Sequence, residues 1–277
     1  MTTTDKPLKC CFCGPVKNCG PFLEKVMQNV LQLTPLFSEY AIVLFYDKSD
    51  DDTLACLKRL QTQIPHFFFF VNYKPLTPFR THNLANARNY CLHYIRTHFS
   101  DYTFFAMMDW DDVNAKTVHP EILNSYLQRE DWDALSFQTS PDYYDIWALS
   151  IFPYTFSYNH FPNNVAMYKV IQRYVSGLLS RVSKGGLLQC LSAFNGFGLY
   201  RISAFVGCVY DGHVRPDLVP PSLLKYHFRM ANTSVMVFPD YGHVKAQNED
   251  CEHRSFHLQA IRKNKARIRI SPERLFV

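Results

Sequence analysis

Two carboxylates one residue apart, Asp109 and Asp111 around Trp110, stand directly after the apolar run of residues 102–108 (YTFFAMM). Charges at the end of a buried run need a cation or water, because an unpaired buried charge is expensive. A hard divalent ion takes oxygen ligands and keeps bound phosphates in its shell. Asp109 and Asp111 are therefore candidate ligands for Mn²⁺ or Mg²⁺, and an ion there would neutralise charge on a leaving diphosphate. The competing reading is a helix start, with Asp112 or Asn114 as cap and Asp109 merely solvated. Asp47 ends a second apolar run, residues 41–46 (AIVLFY). A carboxylate there can accept a hydrogen bond from a nucleobase, while Ser49 and Asp51 shape the turn and the helix start that follow. Arg80 and Arg88 are candidates for holding diphosphate oxygens, with surface ion pairs as the alternative.

A second set of reactive side chains comes later. Asp145, Glu249, Asp250 and Glu252 are candidate general bases for activating a hydroxyl, and Trp147, two residues after Asp145, can stack on a sugar. His253 is a candidate further metal ligand, as is His257, since imidazole is acceptable to Mn²⁺; most lone histidines are structural. Cys10, Cys11, Cys13 and Cys19 invite a zinc reading. Their spacing does not form paired C-x2-C knuckles, and the first three sit in a strand-like run, so they are expected to be buried free thiols.

The elements around these residues alternate. Residues 9–13 form a strand ended by Gly14-Pro15, and residues 21–33 carry Phe22, Val26, Val30 and Leu33 at helical spacing behind Pro21. Strands follow at residues 41–46, 67–72 and 102–108, with helices at 53–60 and 83–98 between them. This is the pattern of a doubly wound α/β layer, in which ligands bind at the carboxyl ends of the strands. Both acidic clusters fall on that edge. The later part is less regular: a strand at 134–137, an aromatic-rich, charge-poor loop region at 141–162, a strand at 192–200 and a last short strand at 235–238. No internal repeat or low-complexity linker interrupts the 277 residues, so a single compact domain is expected, with a nucleotide-binding half at 1–115 and an acceptor half at 116–277.

Composition narrows the class. Hydrophobic residues at 47% and charged residues at 19% fit a packed globular chain. A net charge of +5 favours an anionic small ligand but is too weak to argue for nucleic acid. The basic run from Arg262 to Arg269 reads as a solvated helix face or tail. Residues 1–5 lack a basic start followed by an apolar stretch, and no window suits a membrane span, so a cytoplasmic location is expected.

Together, residues 46–53 (YDKSDDDT), 80–89 (RTHNLANARN) and 107–112 (MMDWDD) resemble, in order and spacing, the D-D-G-S-x-D-x-T turn, the A-R-N helix and the D-x-D segment of GT-A glycosyltransferases. Residues 144–149 (YDIWAL), 195–198 (NGFG) and 251–253 (CEH) add likeness to the small soluble enzymes of large DNA viruses of algae and protists, and to fungal capsule mannosyltransferases. The resemblance implies a GT-A, Rossmann-like mixed sheet flanked by helices and a UDP- or GDP-sugar donor with Mn²⁺ or Mg²⁺; the Tyr-rich middle suggests a glycan acceptor, and a viral source would make that a glycoprotein's and put the enzyme in the host cytoplasm. It also implies Asp47 near the base, Arg88 near the donor phosphates or sugar, and Asp109 and Asp111 at the metal and ribose. Lys48 departs from the family's usual Gly. Inverting and retaining mechanisms both stay open. The rivals are a sugar nucleotidyltransferase, disfavoured because residues 14–20 hold one Lys where a basic Gly-rich loop belongs, and a non-catalytic carbohydrate-binding relative.

Overall fold

The computed structural model describes residues 7–238 and 249–277; residues 1–5, read above, lie outside them. Strands β1 (Lys9–Val16), β2 (Glu39–Asp47), β3 (Phe67–Asn72) and β4 (Phe104–Met108) alternate with helices α1 (Gly20–Leu33), α2 (Thr53–Gln63) and α3 (Arg80–His98). These are followed by α4 (Pro120–Leu127), β5 (Ala134–Gln138), α5 (Asn164–Leu179), β6 (Leu188–Cys190), β7 (Phe197–Arg201), α6 (Pro221–Ala231), α7 (Glu252–Asn264) and β8 (Ile268–Arg274). All eight strands share one sheet in the order β3-β2-β1-β4-β7-β5-β8-β6. Strands β1 to β4 are mutually parallel, β7 runs antiparallel to both β4 and β5, and β8 is parallel to β5. The carboxyl ends of β1, β2, β3, β4, β5 and β8 thus open on one edge. The expected α/β architecture, a mixed sheet flanked by helices, is the one observed.

Burial explains the apolar runs. A parallel sheet covered on both faces needs strands without a polar side, and β2 is buried at every position from Ala41 to Tyr46. In β1, Cys10 and Phe12 pack into one layer with Val26 and Leu44, while Cys11 and Cys13 pack into the other with Val43 and Cys91. All nine cysteines are free and buried. They fill the core, which accounts for a cluster without zinc spacing.

Several expectations need correction. Strand β1 does not stop at Gly14-Pro15 but runs to Val16, paired with β2 up to Tyr46. Proline is tolerated there because β4 pairs with β1 only as far as Cys13, so no partner on that side needs the missing N–H. The strand drawn over 192–200 begins at Phe197, because Asn195 and Gly196 turn through positive φ of 59° and 84°. Residues 235–238 are not a strand. The last strand is β8, which begins at the end of the stretch read as a solvated helix face or tail: Ile268 and Ile270 are buried in alternation with Arg267 and Arg269, a period-two pattern. No helix among the described residues is long and apolar enough to cross a membrane.

Candidate functional site

The carboxyl edge carries a cleft of about 810 Å³ between β2, β4, α3, the 144–147 strap and the start of α7. Asp47, Arg80, Arg88, Asp109, Asp111, Asp145, Trp147, Glu252 and His253 all line it. Ser49, Glu249 and Asp250 do not.

Asp109 is held by its backbone. Its N–H donates to the Gly196 carbonyl (2.9 Å) and its carbonyl accepts from Asn114 Nδ2 (2.7 Å), which pins the end of β4 to the turn before β7. Two glycines make this approach possible. A Cβ on Gly14 would collide with the Met108 carbonyl, and Gly196 has φ +84° with Val113 and Tyr144 against it. The side chain of Asp109 is 27% exposed, and its partners stand off: Arg88 Nη2 lies 3.4 Å from Oδ1 and Tyr144 Oη 3.4 Å from Oδ2. Desolvation, only partly opposed by Arg88 and reinforced by Asp111 and Asp145, pushes this carboxyl up to about 7. Asp111 accepts from the Val113 N–H (3.2 Å), and desolvation raises it as well. The short turn Asp112–Asn114 is thus capped by one oxygen of Asp111, and not by Asp112 or Asn114 as the helix-start reading had it.

Arg88 sits behind Asp109. Its side chain is 4% exposed, its Nε lies 3.2 Å from Glu252 Oε1, and its guanidinium lies over the Phe194 ring at 4.8 Å. Nη1 meets Nε2 of His253, whose ring stacks on Phe194 at 3.8 Å. Burial, then the charge of Arg88, drives the His253 pKa well down, so its neutral ring can accept from the guanidinium. Arg88 thus stands between His253 and Asp109, and the imidazole supports a cation instead of facing the paired aspartates. His257 is bonded to Ser192 Oγ (2.9 Å) and Tyr200 Oη (3.2 Å) with its pKa lowered by burial to about 3, so it is structural. Among the described residues, no three His, Cys, Asp or Glu side chains converge as a metal-holding group.

The remaining acidic candidates separate. Asp145 accepts from the N–H groups of Ala148 (3.1 Å) and Asn195 (3.4 Å), and burial still raises its pKa. Burial, outweighing Arg88, also raises Glu252. Glu249 Oε1 accepts from the Thr81 N–H (2.8 Å) in the first turn of α3, and so caps that helix. Asp250 pairs with Arg254 Nε at 2.8 Å and lies 3.7 Å from His160; against burial, Arg254 and the hydrogen bond of His160 hold its carboxyl below the usual range. Glu249 and Asp250 are therefore corrected from candidate bases to structural carboxylates.

At the ends of β2 and β3, Asp47 Oδ1 accepts from Asn72 Nδ2 (2.8 Å), and the two residues face each other in register. Ser49 donates to the Asp47 carbonyl (3.0 Å) and accepts from the Asn18 N–H (3.0 Å), while Asp51 accepts from Gly20 N and Thr53 N; both shape the turn. Arg80 is exposed at the rim, over the Trp147 ring at 5.8 Å, with no ion pair among the described residues. Sequence reasoning missed three residues. Asn72 could have been found from its strand-end position opposite Asp47. Tyr144 was quoted only as part of a likeness. Asn195 accepts from the N–H groups of Tyr144 and Asp145 (3.1 Å each) and donates to the Phe137 carbonyl (2.8 Å), fastening the strap to β5; only its place before a glycine hinted at this.

The sequence model of glycosyl transferase family 2 matches residues 11–177. An uncharacterized glycosyltransferase of Mycoplasma genitalium is 27% identical over 135 residues, 48% of this chain and 40% of that protein. Two solved structures are similar at low identity. Staphylococcus aureus TarS 1–349 in complex with UDP-GlcNAc is 11% identical, with a TM-score of 0.46 over 97% of this chain and 57% of that one. Glucosyl-3-phosphoglycerate synthase from Mycobacterium tuberculosis in complex with UDP is 12% identical, with a TM-score of 0.38 over 72% and 58%. The chain spans less than two thirds of the length of each of these relatives. The family match covers more than half of the chain and includes β1 to β5, Asp47, Arg80, Arg88, Asp109, Asp111 and Asp145, so the chain belongs to glycosyl transferase family 2.

Proposed function

We propose that this protein transfers a sugar from a nucleoside-diphosphate sugar, UDP- or GDP-linked, to a hydroxyl of a glycan or glycoprotein acceptor. Family membership supports the reaction class. The observation that carries the site is the pair Asp109 and Asp111 at the carboxyl end of β4, dehydrated and short of partners, in a cleft that also holds Arg80 and Arg88.

The two aspartates fit a resident Mn²⁺ or Mg²⁺. Among the described residues, the Asp109 carboxylate has only two contacts, both at 3.4 Å, and one oxygen of Asp111 is left over from its turn. A hard cation needs more oxygens than these, which suits a shell completed by diphosphate and water. The ion's chemistry is to neutralise charge on the leaving nucleoside diphosphate. The chain's own residues do the rest. Arg80, unpaired at the rim, takes the diphosphate oxygens. Arg88, held by Glu252 and His253, fixes Asp109 and adds a positive field. Asp47, oriented by Asn72, accepts from the nucleobase. Trp147 and Tyr144 flank the sugar and the incoming acceptor. Asp145 is the general base: it lines the cleft, is less buried than Glu252, and burial raises its proton affinity, which favours taking a proton from a hydroxyl. This assigns an inverting outcome. Residues 1–115 supply most of the donor site and residues 116–277 the acceptor side, with α7 crossing back to brace Arg88.

A thermal-shift panel of UDP- and GDP-sugars with and without Mn²⁺ tests the proposal, because a ligand of the native state raises the melting temperature. One donor is expected to shift the protein only with metal, and Asp111→Ala to keep the fold and lose that shift. Asp145→Asn is expected to keep the donor shift and lose about 10²- to 10⁴-fold in kcat. If no donor stabilises the protein, the transferase reading fails; normal turnover by Asp145→Asn removes the base assignment alone.

A further inference from the structure

Acidic residues are absent from one long part of this chain. From residue 146 to 210, and again from 218 to 238, there is no Asp or Glu, although the chain holds 24 of them. Helices α5 and α6 both come from these stretches. The outward side of α5 carries Lys169 and Arg173, and that of α6 carries Lys225 and Arg229, all exposed. A solvated helix face ordinarily mixes both signs, so four cations with no acid between them mark a surface built for negative charge.

The same faces are apolar where they meet water. Phe152, Val165, Val170, Tyr226 and Met230 are exposed by 40% to 72%. They belong to one region. The Tyr174 hydroxyl of α5 donates to the Phe152 carbonyl (3.1 Å), the Phe152 ring meets Tyr226 of α6 at 5.0 Å, and Thr155 Oγ1 donates to the Leu223 carbonyl (3.2 Å). The inward side of α6 is separately satisfied: His227 and Ala231 are buried, and Leu223 and Leu224 pack with Phe156 and Leu258. Tyr226 and Met230 are therefore surplus to the core, and they stand beside Lys225 and Arg229, with the Arg229 guanidinium 5.5 Å from the Tyr226 ring.

Aromatic and apolar side chains interleaved with lysine and arginine, on a helix that cannot span a bilayer, are the pattern of an element lying in a lipid–water interface. The rings and methyl groups enter the headgroup boundary while the cations reach anionic lipid phosphates. A soluble polyanion would use the cations but gain little from Phe152, Val165 or Met230. We propose that the α5–α6 face docks this protein peripherally on an anionic membrane surface.

Flotation of the purified protein with phosphatidylcholine vesicles, with and without phosphatidylglycerol, tests this. Binding is expected only with phosphatidylglycerol and is expected to weaken with salt. Both Lys225→Glu/Arg229→Glu and Phe152→Ser/Tyr226→Ser/Met230→Ser are expected to weaken it about tenfold or more. All five positions are exposed, so the melting temperature of either variant should stay near that of the parent, and this is checked alongside. Absence of binding to phosphatidylglycerol vesicles overturns the proposal. So does full binding by the triple serine variant together with capture of both proteins by heparin, which is the behaviour of a surface for soluble polyanions.

Discussion

Two groups of carboxylates, one half-buried and one buried, lie about Arg88, and their surroundings differ. At the start of α7, Asp250 meets Arg254 at 2.8 Å with aligned geometry, Glu249 accepts a backbone N–H, and Glu252 touches Arg88. At the end of β4, Asp109 shares that same Arg88 with Glu252 and His253 and receives it only at 3.4 Å. The consequence shows in their proton affinities: Asp250 is held below the usual carboxylate range, while Asp109 is pushed up to about 7. Burial alone does not tell a structural acid from a functional one. What separates them is whether the protein supplies the compensating cation or leaves that to a ligand.

The largest effect that would break this contrast is on stability. Removing one partner of a buried ion pair strands the other, so Asp250→Ala should cost roughly 3–5 kcal/mol. Arg254 would lose its Nε partner and keep the Leu149 carbonyl (2.9 Å). Asp111→Ala should cost only about 1 kcal/mol, for the lost cap on Val113. Urea unfolding of the two variants measures both. Equal losses would mean that Asp111 is as structural as Asp250, and the distinction drawn at the cleft would collapse.

The same contrast shows why one half of the site was legible in the sequence and the other was not. Strands β2, β3 and β4 are near-continuous apolar runs; β2 and β3 end in Asp47 and Asn72 and β4 is followed at once by Asp109, so hydrophobic pattern and chemistry coincide at the carboxyl edge. Helix α7 breaks that logic. Its first nine residues, Glu252 to Ala260, are all buried, yet they include Glu, His, Arg, Ser and Gln. No apolar stripe marks a helix whose buried face is a polar network, so its acids read as a loop of candidate bases. Helices α4, α5 and α6 and strand β6 went unread too.

A smaller effect sharpens the comparison at a buried base. His227 is fully buried against Phe156 and Phe161, beside His160, Arg254 and Asp250. Desolvation first, then the neighbouring His160 and Arg254, lowers its pKa from 6.5 to about 4. The unfolded chain therefore binds a proton that the folded one refuses between those values. Stability is fully present above pH 6.5 and falls as the pH drops toward 4, by roughly 3 kcal/mol for this group. His257, lowered to about 3, acts in the same direction. His227→Phe should flatten the dependence of melting temperature on pH between 6.5 and 4; an unchanged slope would show that this histidine carries none of it.

The smallest effect tests the border between the two groups. Glu249 caps α3 at Thr81, next to the rim cation Arg80, so its carboxylate belongs to the structural set while acting on a helix that lines the cleft. Glu249→Ala should cost about 1 kcal/mol, the usual worth of a cap with its favourable helix dipole. The loosened first turn should also raise KM for the donor a few-fold through Arg80, with kcat little changed. Thr81 keeps a second tie, its hydroxyl donating to the Gly212 carbonyl at 3.0 Å, and that carbonyl also accepts from the Asp250 N–H at 2.9 Å, so the helix start is displaced and not lost. If kcat falls by orders of magnitude at unchanged stability, Glu249 takes part in the chemistry, and α7's acids belong with Asp109 instead of opposite it.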